Sequence, residues 1–279
     1  MTSLIPCEID LANYLARALT SNQLKLYAQH LVEVNTGVPV GAEVLLRVPQ
    51  PRKLSLKNQF RSTFLSSSSI NTEQWIEAAS HRGLIEPLTE WLVKKVAEFL
   101  SNSASFIDIP LSINVPPSVL TSRFVKFLAA MLNTYKVPTS LIMIEITETQ
   151  KPFDLRALNK VINDLRDMGV KVVIDDFGSG YSTMTYLVDL TVDAVKIDRS
   201  FVQKAPENAC AYSVLKSLIE LAKEVNLQII CEGVENLQQF DLVKRLGCNI
   251  VQGYLINRPM PLEEALNESK EFITELPLH

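Results

Sequence analysis

The sequence is short of the residues that build zinc sites and disulfide scaffolds. It has three histidines and four cysteines in 279 residues, and no two cysteines stand at CxxC spacing. These counts argue against an imidazole-based zinc site and against a disulfide-rich secreted domain. They are typical of reduced thiols, and we therefore predict a cytoplasmic protein.

Long apolar segments and an excess of positive charge are also lacking. No uninterrupted apolar run approaches the roughly 20 residues that cross a bilayer. The first residues carry Glu8 and Asp10 rather than the basic start of a signal peptide. The formal net charge of −4 argues against a general nucleic-acid coat. We predict no stable binding to membranes or nucleic acids.

What the chain does contain is ample core material in an alternating order. Apolar residues make up 47% of the chain. Short runs rich in β-branched residues alternate with amphipathic helical patterns, which is typical of a parallel sheet covered on both faces. The predicted strands span residues 24–34, 40–47, 107–115, 141–148, 170–177, 193–198, 227–235 and 249–256. The clearest predicted helices span 153–169, 210–225 and 237–247.

Eight strands in an alternating chain of this length predict closure into a barrel. The link between the first two strands, EVNTGVPV, resembles a hairpin turn, so this pair should be antiparallel. We therefore predict an α/β fold, a modified (β/α)8 TIM-like barrel with an antiparallel first strand. Residues 24–279 would form the barrel domain, and residues 1–23 would be a helical N-terminal extension too short for a further sensor or cyclase domain.

The segment 48–70 breaks the alternating pattern. It contains four basic residues, no acidic residue and a run of four serines. The basic residues are Arg52, Lys53, Lys57 and Arg61. We favour a solvated loop over a dedicated anion site here, because runs of charge are usually solvated.

Polar side chains gather toward the C-terminal ends of the predicted strands after the first. These ends converge on one face of an α/β barrel, where active sites are built. A single such residue means little, but seven consecutive strands share the pattern, and the carboxylates would repel one another without cations. The residues are Glu43, Asn114, Glu145, Glu148, Asp175, Asp176, Lys196, Asp198, Glu232, Glu235 and Gln252.

This set of side chains points to metal-assisted phosphoryl transfer. Carboxylate and amide oxygens suit Mg²⁺ or Mn²⁺ rather than zinc. Two ions bridged by one carboxylate can activate a water and stabilise the leaving oxygen, and a nearby lysine can orient that water or offset charge. The string DDFG is not the kinase metal loop, because no HRD-like or glycine-rich phosphate loop precedes it.

From about Leu24 to Pro261 the sequence resembles the EAL-domain phosphodiesterases, which hydrolyse the bacterial second messenger cyclic di-GMP. GAEVLLR stands where the family has EALLR, and IDDFGSGYSTMTYL is similar to the family's DDFGTGYSSLSYL loop. The matching segments are SINVPP, IEITET, VKIDRSFV, CEGVE and VQGYLINRPMP. The resemblance implies a modified barrel with an antiparallel first pair of strands, cyclic di-GMP as substrate and two Mg²⁺ or Mn²⁺ ions per active site.

The resemblance also implies a role for each matching residue. One metal would be held by Glu43, Asn114, Glu145 and Asp175, and a second by Asp175, Asp176 and Glu232. Lys196 would orient or deprotonate the hydrolytic water, and Glu235 would complete the catalytic rim with Glu43 and Glu232. The substrate would contact Gln29, Arg47 and Gln252. Glu148 and Ser179 would support the loop after Asp176, which the family links to a homodimer.

Several positions depart from the family pattern. The signature alanine is Val44, the tryptophan after the arginine is Val48, the proline after the first-strand glutamine is His30, and a serine is replaced by Pro116. None of these changes removes a predicted metal ligand. We therefore favour an active phosphodiesterase over a catalytically weak cyclic di-GMP receptor or protein-interaction module. A barrel hydrolase acting on another phosphodiester also remains open.

Overall fold

The computed structural model describes residues 6–49, 70, 72–102, 109–147, 154–179 and 183–268. The strands are β1 (Lys25–Glu33), β2 (Pro39–Arg47), β3 (Leu111–Val115), β4 (Ile142–Ile146), β5 (Lys171–Phe177), β6 (Ala194–Ile197), β7 (Gln228–Cys231), β8 (Ile250–Val251) and β9 (Met260–Pro261). The helices are α1 (Pro6–Thr20), α2 (Thr72–His81), α3 (Ile85–Asn102), α4 (Ser122–Tyr135), α5 (Leu155–Asp167), α6 (Thr183–Asp189), α7 (Arg199–Lys204), α8 (Ala209–Glu224), α9 (Leu237–Leu246) and α10 (Leu262–Glu268).

The strands close into a barrel in which one strand runs backwards. Strands β2 to β8 pair side by side in parallel and in chain order. Strand β1 is antiparallel to β2 on one side and to β8 on the other, which closes the ring. The predicted modified barrel with an antiparallel first pair is confirmed. The short β9 adds a further antiparallel pairing to β1.

Local sequence signals account for the helix ends. Asp154 precedes α5 and its carboxylate accepts hydrogen bonds from the amides of Arg156 and Ala157, at 2.9 and 3.1 Å. Helix α9 ends at Gly247, whose φ of 81° is left-handed and therefore suited to glycine. The parallel strands are buried on both faces, as their continuous apolar runs predict.

Most of the core lies between the barrel and the surrounding helices. One large cluster of buried apolar residues joins the outward faces of the strands to α3, α4, α5, α8 and α9. A second cluster joins α1 to α2, where Leu15 is fully buried and the rings of Tyr14 and Trp75 lie 5.6 Å apart. Helix α1 therefore packs on the described body of the protein. The domain boundary at residue 24 stays a prediction.

Two strands end at least four residues earlier in the structure than the sequence pattern predicts. Strand β7 ends at Cys231 rather than at residue 235, and β8 ends at Val251 rather than at residue 256. Gly233 explains the first difference: its φ is 67°, and a Cβ there would lie 2.4 Å from the Cβ of Arg199. The chain turns out of the sheet at this glycine, which ends the strand.

Two further predictions concern the basic segment 48–70 and the lack of membrane-spanning helices. The four basic residues of segment 48–70 lie outside the described residues. Among the helices that the structure describes, none combines the length and the hydropathy needed to cross a bilayer.

Candidate active site

The polar side chains fill the C-terminal end of the barrel interior. They lie two residues beyond a layer of inward-facing apolar side chains on most of the strands, as the period-two alternation of a strand dictates. On β4, for example, Met143 belongs to the apolar layer and Glu145 to the polar one. The polar layer, as we call it, comprises Gln29, Glu43, Asn114, Glu145, Asp175, Lys196, Glu232 and Gln252.

Lys196 lies at the centre of this layer and is fully buried. Its ammonium contacts four carboxylates from four different strands or strand ends. The distances from Nζ are 2.6 Å to Glu232 Oε1, 3.0 Å to Glu145 Oε2, 3.1 Å to Glu43 Oε2 and 3.5 Å to Asp175 Oδ1. Burial opposes the charge on Lys196, but the surrounding carboxylates outweigh it and hold its pKa well above the usual value.

Glu43 is held by amides as well as by the ammonium. Asn114 Nδ2 donates to its Oε1 at 2.7 Å, and Gln252 Nε2 donates to its Oε2 at 2.7 Å. Burial alone would raise the pKa of Glu43, yet Lys196 and these two amides together lower it. Glu43 is therefore an ionised carboxylate with a fixed orientation.

The other carboxylates of the polar layer are surrounded by more negative charge than the single ammonium of Lys196 can offset. Burial raises the pKa of Glu145 to about 8, and repulsion from Glu43 and Asp175 adds to the effect of burial. Burial and nearby carboxylates also raise the pKa of Asp175 and, more strongly, that of Glu232. A cluster with this excess of negative charge favours further cations.

The backbone after Asp175 takes an unusual course. Asp176 has a φ of 52°, and the pairing of β5 with β6 is irregular between Ile174 and Phe177. Ser179 stabilises this turn, because its backbone amide and its hydroxyl both donate to the carbonyl of Asp176, at 3.1 and 2.8 Å. Adjacent residues of a regular strand point to opposite faces, so this local turn is what brings Asp176 to the same rim as Asp175.

Asp175, Asp176 and Glu232 form a candidate metal site. One carboxylate oxygen from each lies within 4.8 Å of the others. Burial raises the pKa of Asp176 to about 7, with further contributions from Asp175 and Asp198. The Asp198 carboxylate itself caps α7, accepting from the amide of Ser200 at 3.0 Å.

The donor set of the layer fits hard divalent cations. Within the described part of the chain, the buried Oδ1 of Asn114 accepts no hydrogen bond, and its amide nitrogen already faces Glu43. A buried amide oxygen without a partner beside several carboxylates is suited to a cation. Oxygen ligands of this kind favour Mg²⁺ or Mn²⁺.

Three predicted residues lie outside the cluster around Lys196. The half-buried Arg47 donates to the carbonyl of Leu46 at 3.0 Å, and its guanidinium lies 5.3 Å from the centre of the Tyr27 ring. Glu235 is exposed and accepts from Gln203 Nε2 at 3.0 Å. Ser179 is exposed on the turn after Asp176. Glu148 lies outside the described residues.

Sequence reasoning missed two residues of the site region. Ser112 is fully buried two positions before Asn114, and its hydroxyl has a small lowering effect on the pKa of Glu145. The period of two along β3 could have identified it. Asn257 accepts at its carbonyl from Gln29 Nε2 at 2.9 Å. Nothing in the local sequence around Asn257 signals this long-range contact.

Comparison with known proteins identifies a family and several relatives. The family model described as the EAL domain matches residues 12–259. A cyclic di-GMP phosphodiesterase of Pseudomonas aeruginosa is 30% identical over 247 residues, covering 88% of this chain and 40% of the relative. A probable cyclic di-GMP phosphodiesterase of Escherichia coli, PdeB, is 31% identical over 259 residues, covering 92% of this chain and 46% of the relative. The chain thus spans less than half the length of either relative.

A solved structure agrees with these matches. The PaMucR phosphodiesterase in its complex with c-di-GMP superposes with a TM-score of 0.79 at 29% identity. The superposition covers 91% of this chain and 99% of that chain.

Proposed function

Because the chain belongs to the EAL domain family, we propose that it is a cyclic di-GMP phosphodiesterase that opens cyclic di-GMP to linear pGpG. The observation that carries this proposal is the buried polar layer, in which four carboxylates face the ammonium of Lys196. Such a concentration of like charge is unfavourable for folding. Its presence is explained if the layer binds divalent cations and a phosphodiester.

The residues of the layer divide between two proposed Mg²⁺ or Mn²⁺ positions. Glu43, Asn114, Glu145 and Asp175 would hold one ion, and Asp175, Asp176 and Glu232 the other. When bound, such a pair of ions activates a water for attack and stabilises the leaving oxygen. Asp175 would bridge the two positions, which is supported by its contact with Lys196 and by its closeness to the Asp176 and Glu232 carboxylates.

We assign Lys196 the task of orienting the attacking water. An ammonium surrounded by carboxylates is a donor of hydrogen bonds, and its buried, fixed position suits it to hold the water oxygen and to offset charge in the transition state. Glu43 and Glu232 contact Lys196 directly and would keep it in place. A catalytic part for the exposed Glu235 remains a prediction from the resemblance.

The nucleotide would be bound by Gln29, Arg47 and Gln252. Gln252 Nε2 lies 3.2 Å from Gln29 Oε1, so the two amides form one unit beside Glu43. Arg47 is the proposed phosphate contact, because a guanidinium binds phosphate oxygens in a bidentate manner. Its place over the Tyr27 ring restricts the rotamers of the side chain.

We further propose a homodimer that acts through the turn after Asp176, and a cytoplasmic reaction on an intracellular messenger. Ser179 bonds to the carbonyl of Asp176, so a partner contact on this turn would alter the second metal position. The predicted supporting role of Glu148 belongs to the same proposal. Sedimentation with and without Mn²⁺ tests the dimer, and a monomer with full activity would contradict it.

The product of the reaction tests the function. Cyclic di-GMP is incubated with the protein and Mg²⁺ or Mn²⁺, and the nucleotides are separated by chromatography. We expect pGpG from the parent protein, none in excess EDTA, and at least 100-fold slower formation by Lys196→Ala. The matched control is Ile230→Val, an apolar interior residue that should keep parental activity.

The alternative of a catalytically weak receptor gives a different result. A receptor would bind cyclic di-GMP without forming pGpG, and Val44→Ala would restore cleavage if the departure at Val44 were its cause. The Val44 side chain is buried in the outer core between barrel and helices, on the face of β2 opposite to Glu43. We therefore expect Val44→Ala to leave the rate of cleavage within about twofold.

A further inference from the structure

The edge of β1 contains a gap beside the polar layer. Its outer side pairs with β8 at Val32 and Glu33 and with β9 at Tyr27 and Ala28. The residues between these two pairings include Gln29 and His30. Asn257, in the turn between β8 and β9, fills the gap: its Oδ1 lies 3.3 Å from the backbone N of His30, and its carbonyl accepts from Gln29 Nε2 at 2.9 Å.

The side chain of His30 fixes the amide of Asn257. The ring is fully buried, with Nε2 at 2.8 Å from the carbonyl of Ala265 on α10 and Nδ1 at 3.1 Å from Asn257 Nδ2. A carbonyl can only accept, so Nε2 carries the proton and Nδ1 accepts from the amide. Burial lowers the pKa of His30, which agrees with a neutral ring. The Oδ1 of Asn257 accepts from the backbone N–H of His30, and its Nδ2 donates to the His30 ring. Only one of the two possible orientations of this amide makes both hydrogen bonds.

A continuous chain of hydrogen bonds leads from this pair to the polar layer. Gln29 uses one Nε2 hydrogen on Asn257 and its Oε1 on Gln252, whose Nε2 also donates to Glu43. Among the described residues, Asn257 is the acceptor of the one hydrogen bond from Gln29 Nε2, which leaves the second Nε2 hydrogen for another acceptor. The Gln29 amide is therefore held at its oxygen by Gln252, inside the barrel, and at its nitrogen by the carbonyl of Asn257, outside it.

We propose that His30 and Asn257 are positioning residues that hold the Gln29 amide with one hydrogen directed at an acceptor atom of the bound nucleotide. This inference rests on the proposed function for the identity of the nucleotide. The orientation of Gln29 follows from its hydrogen bonds and does not depend on the proposed function. The pair would act on the affinity for cyclic di-GMP more than on the chemical step, because Gln29 lies outside both proposed metal positions.

Two histidine variants separate positioning from general packing. In His30→Asn, the short amide can place its oxygen near the position of Nδ1 and keep the contact with Asn257. In His30→Gln, the longer amide can instead reach the carbonyl of Ala265 and lose that contact. Asn257→Leu removes both side-chain contacts at similar volume. Leu262→Ala, at a buried apolar position on α10, serves as a control for destabilisation alone.

Each variant is measured in two ways, at a temperature where all are folded. The side-chain NH₂ signals of Gln29 and Gln252 are recorded by ¹⁵N NMR without nucleotide, and Kd, KM and kcat are measured with cyclic di-GMP. We expect Asn257→Leu and His30→Gln to shift the Gln29 signals and to raise Kd and KM about tenfold, with kcat within about threefold. His30→Asn and Leu262→Ala should stay near the parent in both measurements.

Unchanged Gln29 signals in Asn257→Leu would overturn the inference, and so would an equal rise in Kd for Leu262→Ala. If the parent binds no cyclic di-GMP, the proposed substrate is wrong. The NMR comparison then decides the positioning claim by itself.

Discussion

Two layers of side chains fill the inside of the barrel, two residues apart along the same strands. The layer toward the N-terminal ends of the parallel strands is apolar, and the next layer is charged. The members of the apolar layer are Leu31, Met143, Val173, Ala194, Ile230 and Ile250. Lys196 and Glu145, in the polar layer, are as fully buried as these residues.

The two layers are equally buried, but burying an apolar side chain and burying a charged one have opposite effects on stability. An apolar side chain gains about 25 cal/mol per Å² of area removed from water, whereas a buried charge must recover its lost hydration from partners. A barrel selected for stability alone would continue the apolar layer to both ends. The polar layer is therefore the part of the interior to which we assign binding and chemistry in the proposed function, and the apolar layer is the part that stabilises the barrel.

The largest effect is expected from removing the central charge. Lys196→Met keeps the length of the side chain but leaves four buried carboxylates without their ammonium. The free energy of unfolding should fall by about 3–5 kcal/mol in metal-free protein, with at least a 100-fold loss of kcat toward cyclic di-GMP. Denaturant titration and kinetics measure the two effects. An unchanged stability would mean that the carboxylates are not held by Lys196.

A cavity in the apolar layer should lower the stability of the protein and leave its activity nearly unchanged. Ile230→Ala removes a buried side chain two residues before Glu232 and should lower the free energy of unfolding by about 2–5 kcal/mol. Because Ile230 belongs to the apolar layer rather than to the polar one, kcat and KM of the folded protein should stay within about twofold of the parent. A loss of kcat as large as that of Lys196→Met would show that the two layers are not independent.

Val44→Ala tests the core outside the barrel wall. Val44 is 1% exposed and packs on the helix side of β2. Losing its two methyl groups should lower the free energy of unfolding by about 2 kcal/mol. Thermal unfolding measures this change, and a gain of stability would instead indicate that Val44 is overpacked.

The smallest effect is expected at Gly41, inside the barrel two residues before Glu43. A Cβ there would lie 3.1 Å from Met143 Cε and 3.3 Å from Leu31 Cδ1. The end of a methionine can move, so Gly41→Ala should cost about 1 kcal/mol. Met143→Leu in the same chain should change this cost, whereas strict additivity would argue against contact between the two positions.

The fold and most of the polar layer were predictable from short-range patterns. Apolar runs of strand length ending in Glu145, Asp175 or Lys196 place these side chains on one rim once a barrel is assumed. The sequence pattern places Glu235 at the end of a seventh strand that runs to residue 235, whereas β7 ends at Cys231. The left-handed turn at Gly233 ends this strand early, and a single glycine within an apolar run does not specify where the chain turns.

The gap in the pairing along the edge of β1 could not be predicted from the sequence. It depends on two strands of two residues each, β8 and β9, which carry too few residues to give a periodic signal. The contact of His30 with Asn257 joins residues 227 positions apart. Such pairs are fixed by the closure of the barrel rather than by local propensity, and only the folded chain brings them together.

We propose that the polar layer carries its charge because it binds divalent cations. Equilibrium dialysis against Mn²⁺, followed by elemental analysis, counts the ions bound to each chain. The parent should bind about two ions, Asp176→Asn about one, and the double variant Glu43→Gln with Asp175→Asn close to none. If the parent binds no more Mn²⁺ than this double variant, the buried carboxylates do not form a metal site, and the account is contradicted.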